Sequence, residues 1–224
     1  MVYGIALSIL AAGFAFLAFE APLALAPFLA WCALAAGVVA LGYLGLGPGV
    51  FGKSPAGTRA PWASVLLAPY FGGVAIARWL QRTITGEDAY NLVAPGLYVG
   101  RLVDTKGLPD DVALVVDLTA ELTEPVQTRT RLEYRCLPTL DGTAPPADAL
   151  RAFALPLEDE PRPIYIHCAA GHGRAAMLAS IVLVRRGHAD DTRGAEQHMR
   201  KVRPKVRMTG QQHRHATQAL EVES

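Results

Sequence analysis

Ile164-Tyr165-Ile166-His167-Cys168-Ala169-Ala170-Gly171-His172-Gly173-Arg174 is the stretch on which the fold turns. Its first half, β-branched and aromatic, predicts a buried strand. Its second half is a loop of small residues and glycines that ends in an arginine. Ala175 to Val184 follows as an apolar, helix-length run closed by Gly187. Strand, glycine-rich loop and helix N-terminus together form an anion cradle, because backbone N–H groups converge there and the helix macrodipole favours negative charge. The side chains suit the same ligand. A thiolate is the nucleophilic form of cysteine, and beside a helix N-terminus and cations the thiol pKa falls from ~8.5 to roughly 3.5–7.5. Arg174 offers a planar fork that holds two oxygens of a phosphate, which lysine cannot imitate. Five residues separate it from Cys168, enough for a loop to curl around one tetrahedral dianion. A merely structural cysteine would need neither the glycines nor the arginine.

The pattern His-Cys, five residues, Arg, with glycine third among the five, resembles the signature of the cysteine-dependent phosphatases, the protein tyrosine and dual-specificity superfamily. His167, Cys168, Gly171 and Arg174 match it residue for residue. Rhodanese-type sulfur transferases are the nearest alternative, but their typical loop is one residue shorter. The resemblance runs from about Leu97 to the C-terminus. It implies an α/β fold with a central, mainly parallel sheet flanked by helices and the site at the carboxyl end of the strand. It also implies catalysis by Cys168 and Arg174 and a phosphate-binding loop of His167, Ala169, Ala170, Gly171, His172, Gly173 and Arg174. No metal and no cofactor are expected, since Arg174, the loop amides and the helix end supply the positive charge. One position departs from the family: Ala175 stands where a serine or threonine usually steadies the thiolate and helps hydrolyse the phosphoenzyme. The second step is then slow, or a group such as His172 compensates.

Upstream, Leu92 to Gly100 reads as a first strand, and its Leu97-Tyr98-Val99-Gly100 end is similar to the start of many dual-specificity phosphatases. Gln81 to Asn91 reads as a linker before it. Val112 to Leu118 is an unbroken apolar run, expected as a fully buried strand. Asp117, at its end, suits capping or loop bracing better than catalysis. Tyr134 to Pro138 supplies another strand and leads into Thr139-Leu140-Asp141-Gly142-Thr143-Ala144-Pro145-Pro146. The superfamily's general acid is an aspartate on a mobile loop upstream of the nucleophile, and Asp141 stands at the matching place. An alkoxide or phenolate departs far more easily if protonated in the transition state. The alternative is an ordinary Asp-Gly turn. Ala147 to Leu155 suits a short helix and Asp190 to Arg203 an amphipathic one. Val202 to Val206 resembles the family's closing element near the phosphate loop, where Arg203 assists substrate or, more in keeping with its setting, forms a structural pair. Gln211-Gln212 is too short to interpret.

The N-terminal part has a different composition. The chain has 224 residues and a formal charge of +1, yet residues 1–51 hold a single charged side chain, Glu20. Residues 1–19 and 23–46 are each long and apolar enough to cross a ~30 Å hydrocarbon core, and Glu20-Ala21-Pro22 between them is too short for a domain. This predicts an α-helical transmembrane hairpin, in which Ala11, Ala12, Gly13, Ala35, Ala36 and Gly37 permit close packing. A cleaved signal peptide would need a basic start, but no Lys or Arg precedes residue 53, and Pro27 follows the small-residue Ala24-Leu25-Ala26. A third apolar stretch, Trp62 to Leu80, contains Pro69, Gly72-Gly73 and Arg78 and suits an interfacial or re-entrant segment.

The expected organisation is therefore 1–51 transmembrane hairpin, 52–91 connector with the interfacial or re-entrant segment, and 92–224 phosphatase domain. With two spans the protein is multi-pass, and Lys53, Arg59, Arg78 and Arg82 place the catalytic domain on the cytoplasmic side. An odd count of three cysteines, one of them reactive, fits a reducing compartment, and no spacing suggests zinc. From Arg185 to His215 nine Arg or Lys face three acids, a balance that favours phosphorylated substrates or anionic lipid but equally a solvated basic face. Expected partners are a phosphorylated protein or phospholipid substrate and membrane lipids, with no nucleic acid. The first functional expectation is a membrane-anchored dual-specificity protein phosphatase (hydrolysing phosphotyrosine, phosphoserine or phosphothreonine) acting through a cysteinyl-phosphate. The alternatives are a phospholipid phosphatase acting on phosphatidylglycerophosphate- or phosphoinositide-like head groups and a non-catalytic membrane phosphate-binding module.

Overall fold

The computed structural model describes residues 2–221. The chain divides into two compact units: residues up to Ser54 with Thr58–Gly86, and Pro55–Gly57 with the residues from Glu87 onward.

In the first unit, α1 (Val2–Glu20) packs against α2 (Ala26–Leu41), whose last turn widens over Gly42–Leu46. Both helices are long and apolar enough to cross a membrane. Gly4, Leu7, Ser8, Ala11, Phe14 and Ala18 recur at helical spacing as the less exposed face of α1, opposite the buried Cys32, Ala35, Ala36, Val39 and Ala40 of α2. Ala12 and Gly13, expected in this seam, are exposed, because the 3.6-residue period turns them away from it. At Gly4 the approach is close: a Cβ there would stand 2.9 Å from Leu44 Cδ2. The third apolar stretch divides at Leu67 into α3 (Pro61–Leu66) and α4 (Ala68–Thr85), with Pro69 in the first turn of α4. Helix α4 continues to Thr85, into the first part of the stretch expected as a linker, and Trp79, Ile76 and Ile84 project from it exposed.

The second unit is built on a five-stranded sheet in the order β1-β2-β5-β3-β4. The strands are β1 (Tyr90–Ala94), β2 (Leu97–Arg101), β3 (Leu114–Thr119), β4 (Glu133–Thr139) and β5 (Ile164–Cys168). All pairings are parallel except β1 with β2. The single first strand expected at 92–100 is thus a hairpin, split by Pro95-Gly96, where Gly96 takes φ +68° as the turn requires. Helices α5 (Val126–Arg131), α6 (Ala147–Glu158), α7 (Arg174–Arg185), α8 (Thr192–Arg200) and α9 (Gly210–Glu221) complete the unit.

Every residue of β3 and β5 is buried, which explains their unbroken apolar look. Ile164, Ile166 and Cys168 join Leu114, Val116 and Leu118 in one core with α7. Tyr165, by strand alternation, packs with Val112 and Val115 on the other side. Helix α7 is buried from Arg174 through Leu183, so the central strand and its following helix lie at the heart of the domain.

Candidate active site

The loop between β5 and α7 is shaped by two glycines and an arginine. Gly171 has φ +77°, a left-handed backbone conformation, and a Cβ there would overlap the carbonyl carbon and oxygen of Gly100 and stand 2.9 Å from Arg101 N. Gly100 is as crowded: a Cβ on it would stand 2.7 Å from Ala89 O. The end of β2 and the loop therefore touch backbone to backbone, which accounts for the glycine of Leu97-Tyr98-Val99-Gly100.

Arg203, 1% exposed, holds the loop from behind. Its Nε donates to Gly171 O at 2.9 Å and its Nη2 to Ala170 O at 2.8 Å, while Nη1 reaches Asn91 Oδ1 at 2.9 Å and Asp88 O at 3.1 Å. In a planar trans peptide the N–H points opposite the C=O. Drawing the carbonyls of Ala170 and Gly171 toward Arg203 therefore turns the next amides the other way. Gly171 N indeed donates to Cys168 Sγ at 3.2 Å. Cys168 is 3% exposed, at the end of the central strand and before the N-terminus of α7.

Arg174 is fully buried at the first position of α7. Glu121, in the loop after β3, grips it end-on: Nη1 donates to Oε2 at 2.8 Å and Nη2 to Oε1 at 2.7 Å. Nη1 also donates to Thr139 O at 2.8 Å, and Asp141 Oδ1 lies 3.1 Å from Nη2. The buried Nε has no hydrogen-bond partner among the described residues, so one donor of the fork remains for an oxyanion. Burial opposes the charge on both members of the pair. For Glu121 the charge and hydrogen bonds of Arg174 outweigh burial and hold its carboxyl below the usual range. For Arg174 the opposing charges of Glu121, Asp141 and Cys168 overcome burial and raise its pKa.

Asp141 sits in the turn after β4 with its side chain 62% exposed, next to Gly142 at φ +71°. His172 carries its ring to Glu87, with Nε2 2.7 Å from Oε2; burial, only partly offset by Glu87, lowers the imidazole pKa. His167, whose side chain is 1% exposed, lies 3.1 Å from the equally buried Glu124. Asp117 braces the turn after β3, accepting from Thr119 N and Oγ1 at 2.7 Å and from Tyr134 Oη at 2.8 Å. Atoms of Asp117, Glu124 and His167 lie within 4.8 Å of one another, and they are the group of possible metal ligands found among the described residues. Both oxygens of Asp117 already accept hydrogen bonds there.

The structure thus gathers Cys168, Arg174, Asp141 and the loop 169–173 at one place. It adds Glu121, Arg203 and Gln212, whose buried amide lies so close to Gly173 that a Cβ there would stand 3.2 Å from its Oε1; of the three, only Arg203 is expected at the loop from the sequence. A buried arginine demands a buried anion, but nothing near Arg174 in the sequence says that Glu121 is that anion; for Gln212 no sequence signal exists. Chemically, the arrangement presents a sulfur nucleophile, donors for a phosphoryl group's oxygens and a carboxyl group beside them.

Residues 104–224 match the family described as PTP-SAK, the Swiss Army Knife protein DSP-PTPase phosphatase domain. The chain belongs to this family. It is accordingly a phosphatase of the cysteine-dependent tyrosine and dual-specificity superfamily, a phosphoric monoester hydrolase. Among solved structures it is similar to PTPMT1 in complex with PI(5)P, with 19% identity and TM-score 0.52 over 60% of this chain and 96% of that one. Tk-PTP in the active form gives 22% identity and TM-score 0.53 over 60% and 97%. Human DUSP28 gives 16% identity and TM-score 0.52 over 60% and 95%. At these identities the likeness is one of fold. No curated protein matches the sequence.

Proposed function

We propose that this phosphatase works in two steps through a cysteinyl-phosphate. The Cys168 thiolate attacks phosphorus in line; the S–P bond forms as the bond to the leaving oxygen breaks. Arg174, through Nε, and the inward amides of the loop hold the equatorial oxygens. Asp141 gives its proton to the leaving oxygen, then takes one from the water that cleaves the S–P bond. The observation that carries this reading is Arg174, fully buried, clamped by Glu121 and 3.1 Å from Asp141, on the helix that begins where the Cys168 loop ends. Cys168→Ser should abolish turnover while leaving phosphate binding intact, measured by calorimetry. Substantial turnover by that variant would defeat the mechanism.

The first substrate reading is a phosphorylated protein, in the dual-specificity manner. A phospholipid phosphate is the second, supported by the two apolar helices and by the exposed Trp79, Ile76 and Ile84 of α4. PTPMT1, similar in fold, has been crystallised with PI(5)P. A chain anchored through residues 2–46, with Lys53, Arg59, Arg78 and Arg82 marking the cytoplasmic side, keeps its hydrolase domain within reach of both substrate classes. Purified full-length protein in detergent, assayed against phosphotyrosine peptide, phosphoserine peptide and phospholipid phosphates with Cys168→Ser as control, separates them. Hydrolysis confined to lipids would remove the protein reading.

A further inference from the structure

The loop that carries Asp141 is strapped to the start of α9. Thr209 Oγ1 donates to Gly142 O at 3.3 Å, Gln212 Nε2 donates to Thr143 O at 3.0 Å, and His215 Nδ1 lies 2.6 Å from Pro145 O. Gln212 is the centre of this strap. It is fully buried, an unusual place for a glutamine unless its amide is satisfied on both sides. It is: Oε1 accepts from Thr209 N at 2.9 Å while Nε2 serves Thr143, and this pairing of one donor and one acceptor fixes which end of the amide is which. The same amide lies against the phosphate loop, because a Cβ on Gly173 would stand 3.2 Å from Oε1 and 3.3 Å from Nε2. One side chain therefore touches the loop that ends in Arg174 and the loop that carries Asp141. Arg207 N, donating to His172 O at 3.1 Å, ties the same segment to the phosphate loop once more.

We propose that Gln212 is a positioning residue for proton donation: it sets the distance between the Asp141 loop and the phosphate loop, so that the acid stands ready beside Arg174 without a closing movement. This rests on the reading of Asp141 as the proton donor. Gln212 touches neither substrate nor sulfur in this scheme. Its effect is confined to reactions whose leaving oxygen needs a proton.

The test compares two substrates of the full-length protein in detergent: a phosphotyrosine peptide, whose phenol has a pKa of about 10, and an activated aryl phosphate whose phenolate leaves unaided. For Gln212→Met, which keeps the volume and removes both hydrogen bonds, kcat/KM on the peptide should fall about tenfold, part of the ~10²–10⁴ that an acid supplies. On the activated substrate it should hold within about twofold, and alkylation of Cys168 by iodoacetamide should keep its rate. Thr209→Val, at an exposed residue that grips Gly142, should show the same selectivity and serves if Gln212→Met does not fold. Equal losses on both substrates, or none on either, would overturn the proposal. Asp141→Asn is run beside them. If it is selective and the Gln212 and Thr209 variants are not, positioning by Gln212 fails alone; if Asp141→Asn is itself unselective, the acid assignment falls and takes this inference with it.

Discussion

Replacing Glu121 by glutamine removes a charge and almost no volume from the deepest ion pair of the site. Arg174 then keeps Thr139 O and the single amide oxygen of the glutamine as neutral acceptors, faces an NH2 group where the second carboxylate oxygen stood, and has only the 62% exposed Asp141 as a carboxylate partner. Breaking a buried pair from one side typically costs about 3–5 kcal/mol, because the remaining charge loses compensation it cannot recover from water. For a domain of this size each kcal/mol lowers the melting temperature by roughly 2–4 °C, so Glu121→Gln should melt about 6–20 °C below the parent. Activity should fall with it by about 10²-fold in kcat/KM, since an unclamped guanidinium presents its donors in the wrong place. The pair also has a signature in acid. Arg174 holds the Glu121 pKa below its unfolded value, so the stabilisation is complete above that unfolded value and is lost as pH falls through the lower, folded one. The parent should therefore lose stability on that acid limb, and Glu121→Gln should lose correspondingly less there. Differential scanning fluorimetry in detergent across pH measures both. A variant melting within about 1 °C of the parent, with an unchanged acid limb, would refute the idea that Glu121 compensates Arg174.

Gly171→Ala should be nearly inactive, because its Cβ would overlap the Gly100 carbonyl and the φ of +77° is unfavourable by roughly 1–2 kcal/mol for any L side chain; loss of orthovanadate binding would show the loop displaced. Arg203→Lys keeps the charge but cannot reach the carbonyls of both Ala170 and Gly171 from one planar fork, so phosphate affinity should drop about tenfold with the fold intact by circular dichroism; unchanged affinity would show that the loop holds itself.

The parts legible in the sequence are those where one short stretch contains its own physics. Ile164 to Arg174 announces strand, turn and helix start together, because burial, left-handed backbone and anion recognition each demand distinctive residues there. The turn that brings Asp141 to 3.1 Å from Arg174 is the loop that the neighbouring glycine and prolines imply, whereas the role of the acid rests on the family resemblance. Glu121 and Gln212 were not, since their meaning comes from Arg174 and Thr143, 53 and 69 residues away. Gln212 in particular carries no local mark: an amide in a helix looks the same whether it faces water or braces a loop. The hairpin β1–β2 was missed for a different reason. Pro95-Gly96 is a sound turn signal, but the apolar residues on either side of it run on as if through one strand.

Arg203 and Gln212 have a consequence for the birth of the enzyme. A ribosome adds about 5–20 residues per second, so translating the 44 positions from Cys168 to Gln212 (212 − 168) takes about 2–9 s. Until Arg203 is added the nascent polypeptide carries its sulfur with neither brace, from then until Gln212 with one at most, and both must clear the exit tunnel before the pocket is assembled. Premature termination before Arg203 would leave a thiol in a loop that nothing holds from behind, so those truncated products should be inert rather than unregulated.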